Sequence, residues 1–314
     1  KLAEVLAIAD TITVLRQGRT VTTVDSSEVT AQELAELMVG SELPAPSTEP
    51  RASDEHVMLS MQGLSVADAD GRSAVDAVNL DVHRGEIVGV AGVEGNGQGE
   101  LIEAVLGLRP TSGGDLLLDG ESMAGWPVRR RREAGIGYVP EDRHRRGLLP
   151  DAPLWENAML GHQTQPPYAR GPWLNRSGAR EATTRIVSSF DVRTPGIDTS
   201  ARALSGGNQQ KLVIGREMQA GPRMLVAAHP TRGIDVGAQA AVWENLRTAR
   251  RDGLAVLLVS ADLEELIGLA DRLVVMLRGR IVAELDPATT TPRLLGGHMT
   301  GAAGEATDDE GRTP

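Results

Sequence analysis

Apolar residues in this chain come in short runs broken by turn-forming and charged stretches. Short strands are predicted around Val57–Val66 and Ala77–Val82. An apolar strand, Glu86–Ala91, then feeds a glycine-rich turn and the helical pattern ELIEAVLGL. Leu225–Ala228 and Leu254–Ser260 have the length and composition of buried parallel strands, each set apart from its neighbours by helical pattern. This is α/β alternation. Between these runs, Pro150–Ser200 contains Arg, Pro and Trp with weaker periodicity and is predicted to be a mostly helical insertion.

The chain also repeats itself. Leu2–Gly40 aligns without a gap on Leu263–Gly301 at a constant offset of 261 residues. LAEVLAIADTITVLRQGRTVTTVD lies over LEELIGLADRLVVMLRGRIVAELD, with Glu4/Glu265, Ala9/Ala270, Asp10/Asp271, Val14/Val275, Gly18/Gly279, Arg19/Arg280, Val21/Val282 and Asp25/Asp286 identical. The register never slips, so residues 1–40 are expected to be the tail of an upstream copy whose remainder is not in this chain. The start on Lys1 rather than Met raises the same suspicion of a fragment. Ser41–Asp54 is rich in Pro, Ser and acid, and 41–55 reads as an extended linker. The complete domain is expected over 56–300, and 301–314 as a disordered acidic tail.

Composition narrows the function classes. Of 314 residues, 32 are Lys or Arg against 43 Asp or Glu, a formal charge of −11, which argues against nonspecific attraction to nucleic acid or anionic lipid. The absence of cysteine excludes disulfides, zinc fingers, iron–sulfur clusters and thiol nucleophiles, and suits a reducing compartment. No apolar run approaches the ~20 residues of a membrane span, and no signal segment opens the chain. With 4 Trp, 2 Tyr and 1 Phe, stacking platforms for bases or sugars are scarce.

Glu86–Ala91, then Gly92-Val93-Glu94-Gly95-Asn96-Gly97-Gln98-Gly99, then a helix beginning near Glu100, has the strand–turn–helix context of a phosphate-binding loop. In a working loop, backbone N–H groups converge on phosphate oxygens, a Lys neutralises them and a Ser or Thr hydroxyl holds Mg²⁺. Gly92 and Gly97 occupy the required glycine places, with Gly95, Asn96 and Glu100 as further candidate contacts, but Gln98 stands where the Lys belongs and Gly99 where the hydroxyl belongs. The only lysines are Lys1 and Lys211, so no frame shift recovers one. Alone this signal is weak, because a glycine-rich turn opening a helix is as often structural.

Other motifs are more specific. Leu204-Ser205-Gly206-Gly207-Asn208-Gln209-Gln210-Lys211 opens a helix with Ser205 as N-cap, and resembles the signature motif of ATP-binding-cassette (ABC) ATPases. Met224-Leu225-Val226-Ala227-Ala228-His229-Pro230-Thr231-Arg232-Gly233-Ile234-Asp235 looks like the Walker B strand running into the D-loop, and Glu141 falls in the glutamine's place of the Q-loop. The wording VPEDRHRRGL, LSGGNQQK and PTRGIDVGA is similar to tandem-cassette ATPases of simple-sugar and nucleoside importers. The resemblance implies a P-loop NTPase fold of class α/β: a parallel-sheet core, an antiparallel β subdomain and a helical subdomain. It also implies a peripheral protein on the cytoplasmic face of a prokaryotic plasma membrane. The implied partners are an upstream cassette, membrane permease subunits and, indirectly, a substrate-binding protein, with no nucleic acid. The loop GVEGNGQGE and the AAHPTRGIDVGA strand look more like the nucleoside branch.

Carried over residue by residue, the family's chemistry is missing at one site. The Walker B Asp corresponds to Ala228, the Glu that would polarise water to His229, and the switch His to Ala261; no aromatic stands in ADADGRS before the loop to stack on adenine. Hydrogen bonds to charged groups are worth roughly 1.5–3 kcal/mol each, so losing Lys and metal contacts implies ATP binding weaker by about two to four decades. Phosphoryl transfer depends on that charge neutralisation, so this cassette is expected to hydrolyse little or no ATP by itself, and no catalytic residue is intact. Paired head to tail, Ser205, Gly206, Gly207, Asn208 and Gln209 would serve ATP and Mg²⁺ held by the partner cassette, with Asp235 organising the interface. A non-transport ABC ATPase and an inactive truncated fragment remain as alternatives. Arg129–Arg132 reads as a solvated helix face, while His83, His144 and His162 read as isolated. Trp155 is either a permease contact or buried packing.

Overall fold

The computed structural model describes residues 2–16, 19–39 and 55–302. The expected linker therefore lies outside the described residues but for Glu55, as does the expected tail beyond Ala302. The first segment comprises α1 (Leu2–Ile8), β1 (Thr11–Arg16), β2 (Arg19–Asp25) and α2 (Ala31–Val39). From Val57 the order is β3 (Val57–Ala67), β4 (Ser73–His83), β5 (Ile87–Ala91), α3 (Gln98–Leu106), β6 (Gly113–Leu118), β7 (Glu121–Ser122), α4 (Val128–Glu133) and β8 (Ile136–Val139). Then come α5 (Leu154–Ala158), β9 (Ala169–Arg170), β10 (Trp173–Leu174), α6 (Arg176–Ser189), α7 (Gly206–Gln219), β11 (Met224–Ala228), α8 (Val236–Arg251) and β12 (Ala255–Val259). The last elements are α9 (Leu263–Leu269), β13 (Arg272–Leu277), β14 (Arg280–Leu285) and α10 (Pro292–Thr300).

The helix–hairpin–helix of α1, β1, β2 and α2 matches α9, β13, β14 and α10 in order and, within one residue, in bounds at the offset of 261. Ile12, Val14 and Leu34 give it a small core of its own, and α2 packs on α8.

Six strands form the central sheet in the order β14-β13-β5-β12-β11-β8, parallel except for β14. β5, β11 and β12 are buried along their whole length, which is why they read as unbroken apolar runs: helices cover one face and a second sheet the other. That second sheet is antiparallel, β4-β3-β6-β7. Met61, Leu80, Val90, Leu101 and Val226 belong to the core between the sheets, and Val139, Leu212, Val242, Leu258 and Leu273 to the core beneath the helices. No helix among the described residues is long and apolar enough to cross a membrane.

Two expectations need correction. The 150–200 insertion is helical only in α5 and α6; between them the chain turns through a two-stranded hairpin, β9–β10, whose Trp173 is 77% exposed. The arginine run is not one solvated face, because α4 is short and its successive residues point all round the axis. Arg131 is buried and donates to the carbonyls of Ala104 (2.6 Å) and Val105 (2.9 Å), and Arg132 pairs with Glu217 at 2.7 Å, while Arg129 and Arg130 stay outside. His162 is buried, and its Nε2 accepts from Arg132 Nη2 at 2.9 Å. Trp155 is partly buried against the small cluster of Tyr168, Ala179 and Ala182.

Candidate functional site

The glycine-rich turn joins β5 to α3 where the central sheet meets the antiparallel one. Gly97 caps α3 at φ +103°, a left-handed conformation, and a Cβ there would lie 2.2 Å from the Ala74 carbonyl oxygen on β4. Only glycine fits both the backbone and the space. The Asn96 side-chain amide is bonded within the protein. Its Nδ2 donates to Val93 O (2.9 Å) and its Oδ1 accepts from Arg278 N (2.7 Å), so it stitches the turn to the β13–β14 connection. Gln98, only 7% exposed, folds back over Gly92, its Nε2 donating to Val93 O at 3.2 Å. A Cβ on Gly99 would meet nothing within 4 Å, and Gly95 stands equally free at φ +89°. Glu100 lies in the first turn of α3. The first N–H groups of this helix point into the turn without intrahelical partners, as at any helix start.

Such a turn fits a phosphate held by backbone amides and a helix N-terminus. It does not fit magnesium, which demands oxygen ligands: Gly99 and Ala228 offer none from their side chains, and no cluster of three or more His, Asp or Glu suited to a metal occurs among the described residues. Lys211, the one lysine in the described residues, binds Asp191 Oδ2 at 3.0 Å.

His229 follows β11 at φ +46°, a strained value for a residue with a Cβ. Its N–H donates to Val259 O at 2.7 Å, and its Nδ1 accepts from Ala261 N at 3.2 Å. With the Nδ1 lone pair engaged, the proton of the neutral ring sits on Nε2, which leaves a donor rather than a base. Burial pushes the imidazole below its ordinary value, against the pull of Glu94 in the turn. The sign follows from linkage. The stability that His229 contributes is complete above the unfolded value of ~6.5 and is lost as pH falls towards the depressed folded value, because the unfolded chain takes up the proton first. His229→Gln is expected to flatten that part of the stability curve, and urea unfolding at several pH values between 5 and 8 checks it.

A neighbouring acid was not anticipated. Glu265, fully buried, accepts from Ser260 Oγ (2.6 Å) and Thr231 Oγ1 (2.7 Å), and burial raises its carboxyl above the usual range. It thus joins the switch segment around Ala261 to the D-loop. The identity of Glu4 with Glu265 in the repeat was its one sequence signal.

The signature segment is built differently from the turn. Ser205 caps α7, its Oγ accepting from Asn208 N (3.4 Å) and Nδ2 (2.9 Å), while Gln209 N donates to Ser205 O (2.9 Å). Of the helix's first N–H groups, those of Gly206 and Gly207 are left for a ligand. The Gln209 side chain is 4% exposed, and its Nε2 donates inward to Ala201 O at 3.0 Å. Asn208 Oδ1 accepts from Arg193 N at 2.8 Å. Asp235 caps α8 by accepting from Ala238 N at 2.9 Å, and Glu141 forms an ion pair with Arg232 of the D-loop.

Comparison with known proteins agrees with this geometry. Residues 75–232 match the model of the ABC transporter family. The chain is 44% identical to the guanosine import ATP-binding protein NupO of Bacillus subtilis over 94% of its own length and 58% of that protein's. It is 38% identical to the ribose import ATP-binding protein RbsA 1 of Rubrobacter xylanophilus, over 95% and 58%. It therefore spans less than two thirds of the length of these curated relatives. Among solved structures, the fold superposes on the ADP- and phosphate-bound ATP-binding cassette MJ0796 with a TM-score of 0.64 at 20% identity, covering 73% of this chain and 99% of that one. The strand–turn–helix, the capped signature helix and the strand running into the D-loop are thus those of a cassette, and the chain belongs to the ABC transporter family of ATP-binding proteins.

Proposed function

We propose that residues 56–300 are the second, hydrolysis-poor cassette of the ATP-binding component of an importer for sugars or nucleosides. It lends Ser205, Gly206 and Gly207 to a triphosphate, with its Mg²⁺, held by a first cassette to which residues 1–40 belong. Membrane permease subunits and, through them, a substrate-binding protein are the further partners, on the cytoplasmic face of the membrane. The observation that carries this reading is the asymmetry between the two ends of the domain. The signature helix keeps its N-cap and its unengaged N–H groups, whereas the turn at 92–99 has Gln98 and Gly99 in place of Lys and hydroxyl, and Ala228 and His229 stand where the metal-binding carboxylate and the base would be. The repeat and the extra length of the curated relatives support the first cassette. The higher identity to the guanosine import protein NupO than to a ribose import protein supports the nucleoside branch.

The test needs the full-length protein. Ser205→Ala is expected to lower its ATP hydrolysis by about 10²-fold, the scale of removing one preorganised donor. His229→Ala in the same protein is expected to leave the rate within twofold. Equal losses from the two changes, or brisk hydrolysis by residues 56–300 alone, would overturn the asymmetry.

A further inference from the structure

The guanidinium of Arg143 bridges two elements that the proposed function requires to be presented together. Its Nε donates to Gln209 Oε1 on α7 (3.3 Å), its Nη1 to Arg232 O (3.0 Å) and its Nη2 to Gly233 O (3.2 Å) in the D-loop. It lies directly over Gly206: a Cβ on that residue would come within 2.7 Å of Arg143 Nη2. A side chain at this signature glycine would have to displace the end of Arg143 and would also press on the Gly233 carbonyl oxygen at 3.1 Å. The next, Gly207, lets α7 approach α8, where its Cβ would lie 2.9 Å from that of Ala238. Among the described residues no carboxylate forms an ion pair with Arg143, and burial lowers its guanidinium. Its three acceptors, two carbonyls and an amide oxygen, are each reached from a different nitrogen of the planar fork, whereas the three donors of an ammonium all sit on one nitrogen.

Arg143 itself is held at the start of the helical lobe. Asp142 caps the single π-helical turn Arg143–Gly147 by accepting from His144 N (3.0 Å) and Arg145 N (3.1 Å). The turn's far end is tied down where Gly147 O accepts from Arg216 Nη1 at 2.7 Å. The ion pair of the adjacent Glu141 with Arg232 adds a second tether from this segment to the D-loop.

We propose that Arg143 is a positioning residue that locks the start of the signature helix to the D-loop, so that a shift of the 141–147 segment moves both as one body towards the neighbouring cassette. This rests on the trans-signature reading above, and the experiment separates the two. In this chain, Arg143→Ala is expected to raise amide hydrogen exchange at least tenfold at both 208–209 and 231–235, with β5, β11 and β12 unchanged. Arg143→Lys is expected to behave like Arg143→Ala, since a single ammonium nitrogen does not reproduce the spread of the three nitrogens that reach these acceptors. In the full-length protein, Arg143→Ala is expected to cut kcat for ATP about tenfold with KM held within twofold, and Ser205→Ala to cut it further. Faster exchange in only one of the two segments, full protection in Arg143→Lys, or an unchanged kcat beside a strong Ser205→Ala effect overturns the lock alone. Silence of both substitutions overturns the lock and the trans reading together. A loss with Arg143→Ala while Ser205→Ala is silent also overturns the lock, because the effect then bypasses the signature.

Discussion

Removing the Glu217 carboxylate is expected to cost this protein about 3–5 kcal/mol, the scale of leaving buried charges without their partner. Glu217 is 1% exposed and accepts from Arg132 Nη1 (2.7 Å), Arg216 Nε (2.8 Å) and Tyr138 N (3.1 Å). It joins α4 and β8 of the core to α7, the signature helix. In Glu217→Ala two guanidinium groups lose a common acceptor inside the fold. Burial by itself raises this carboxyl, but the charges of Arg216 and Arg132 outweigh it and hold it far below the usual carboxylate range. Its stabilisation is therefore present above the unfolded value of ~4.3 and is lost only as pH falls towards the much lower folded value. Urea unfolding of wild type and Glu217→Ala at pH 7 and pH 3 should show the gap narrowing in acid. A cost below ~1 kcal/mol at pH 7 would mean that the network is no stronger than a surface pair.

The second large effect is a gain. Gln98→Lys restores a cation to the turn at 92–99 and is expected to tighten ATP binding by about 1.5–3 kcal/mol, roughly ten- to a hundredfold. Hydrolysis should stay at background, because Ala228 still supplies no metal ligand and His229 still has its Nδ1 engaged by Ala261. Equilibrium titration with ATP and a phosphate-release assay on the same variant check the two halves. An unchanged affinity would show that the amides of 97–100 do not face a phosphate. Rapid release of phosphate would show that lysine alone was the missing part.

Much of the fold was legible beforehand because a parallel sheet buried on both faces leaves an unbroken apolar signature. β5, β11 and β12 appear within about a residue of their expected places. The hairpin β9–β10 was missed because two-residue strands carry no periodicity. At the candidate site, residue identity located the turn, the signature and the D-loop, since the chemistry each lacks or keeps is a matter of which side chain stands there. The direction of side chains was not legible. Asn96 and Gln209 read as candidate contacts, yet the Asn96 amide is spent on neighbouring backbone and the Gln209 amide on Ala201 O and the Arg143 side chain.

The sequence by itself determined the class of fold, the internal repeat and which residue types stand at the glycine-rich turn and at Ala228 and His229, because each follows from residue types at fixed spacing. Tertiary structure decided the rest. The roles of Arg131, Arg132, Arg143, Glu217 and Glu265 depend on partners tens of residues or more away, as with Arg143 and Arg232 or Arg132 and Glu217. Local pattern marks such charged side chains as exposed. Only the packed chain, which removes water and brings an acceptor within hydrogen-bond distance, turns them inward and makes them hold the fold together.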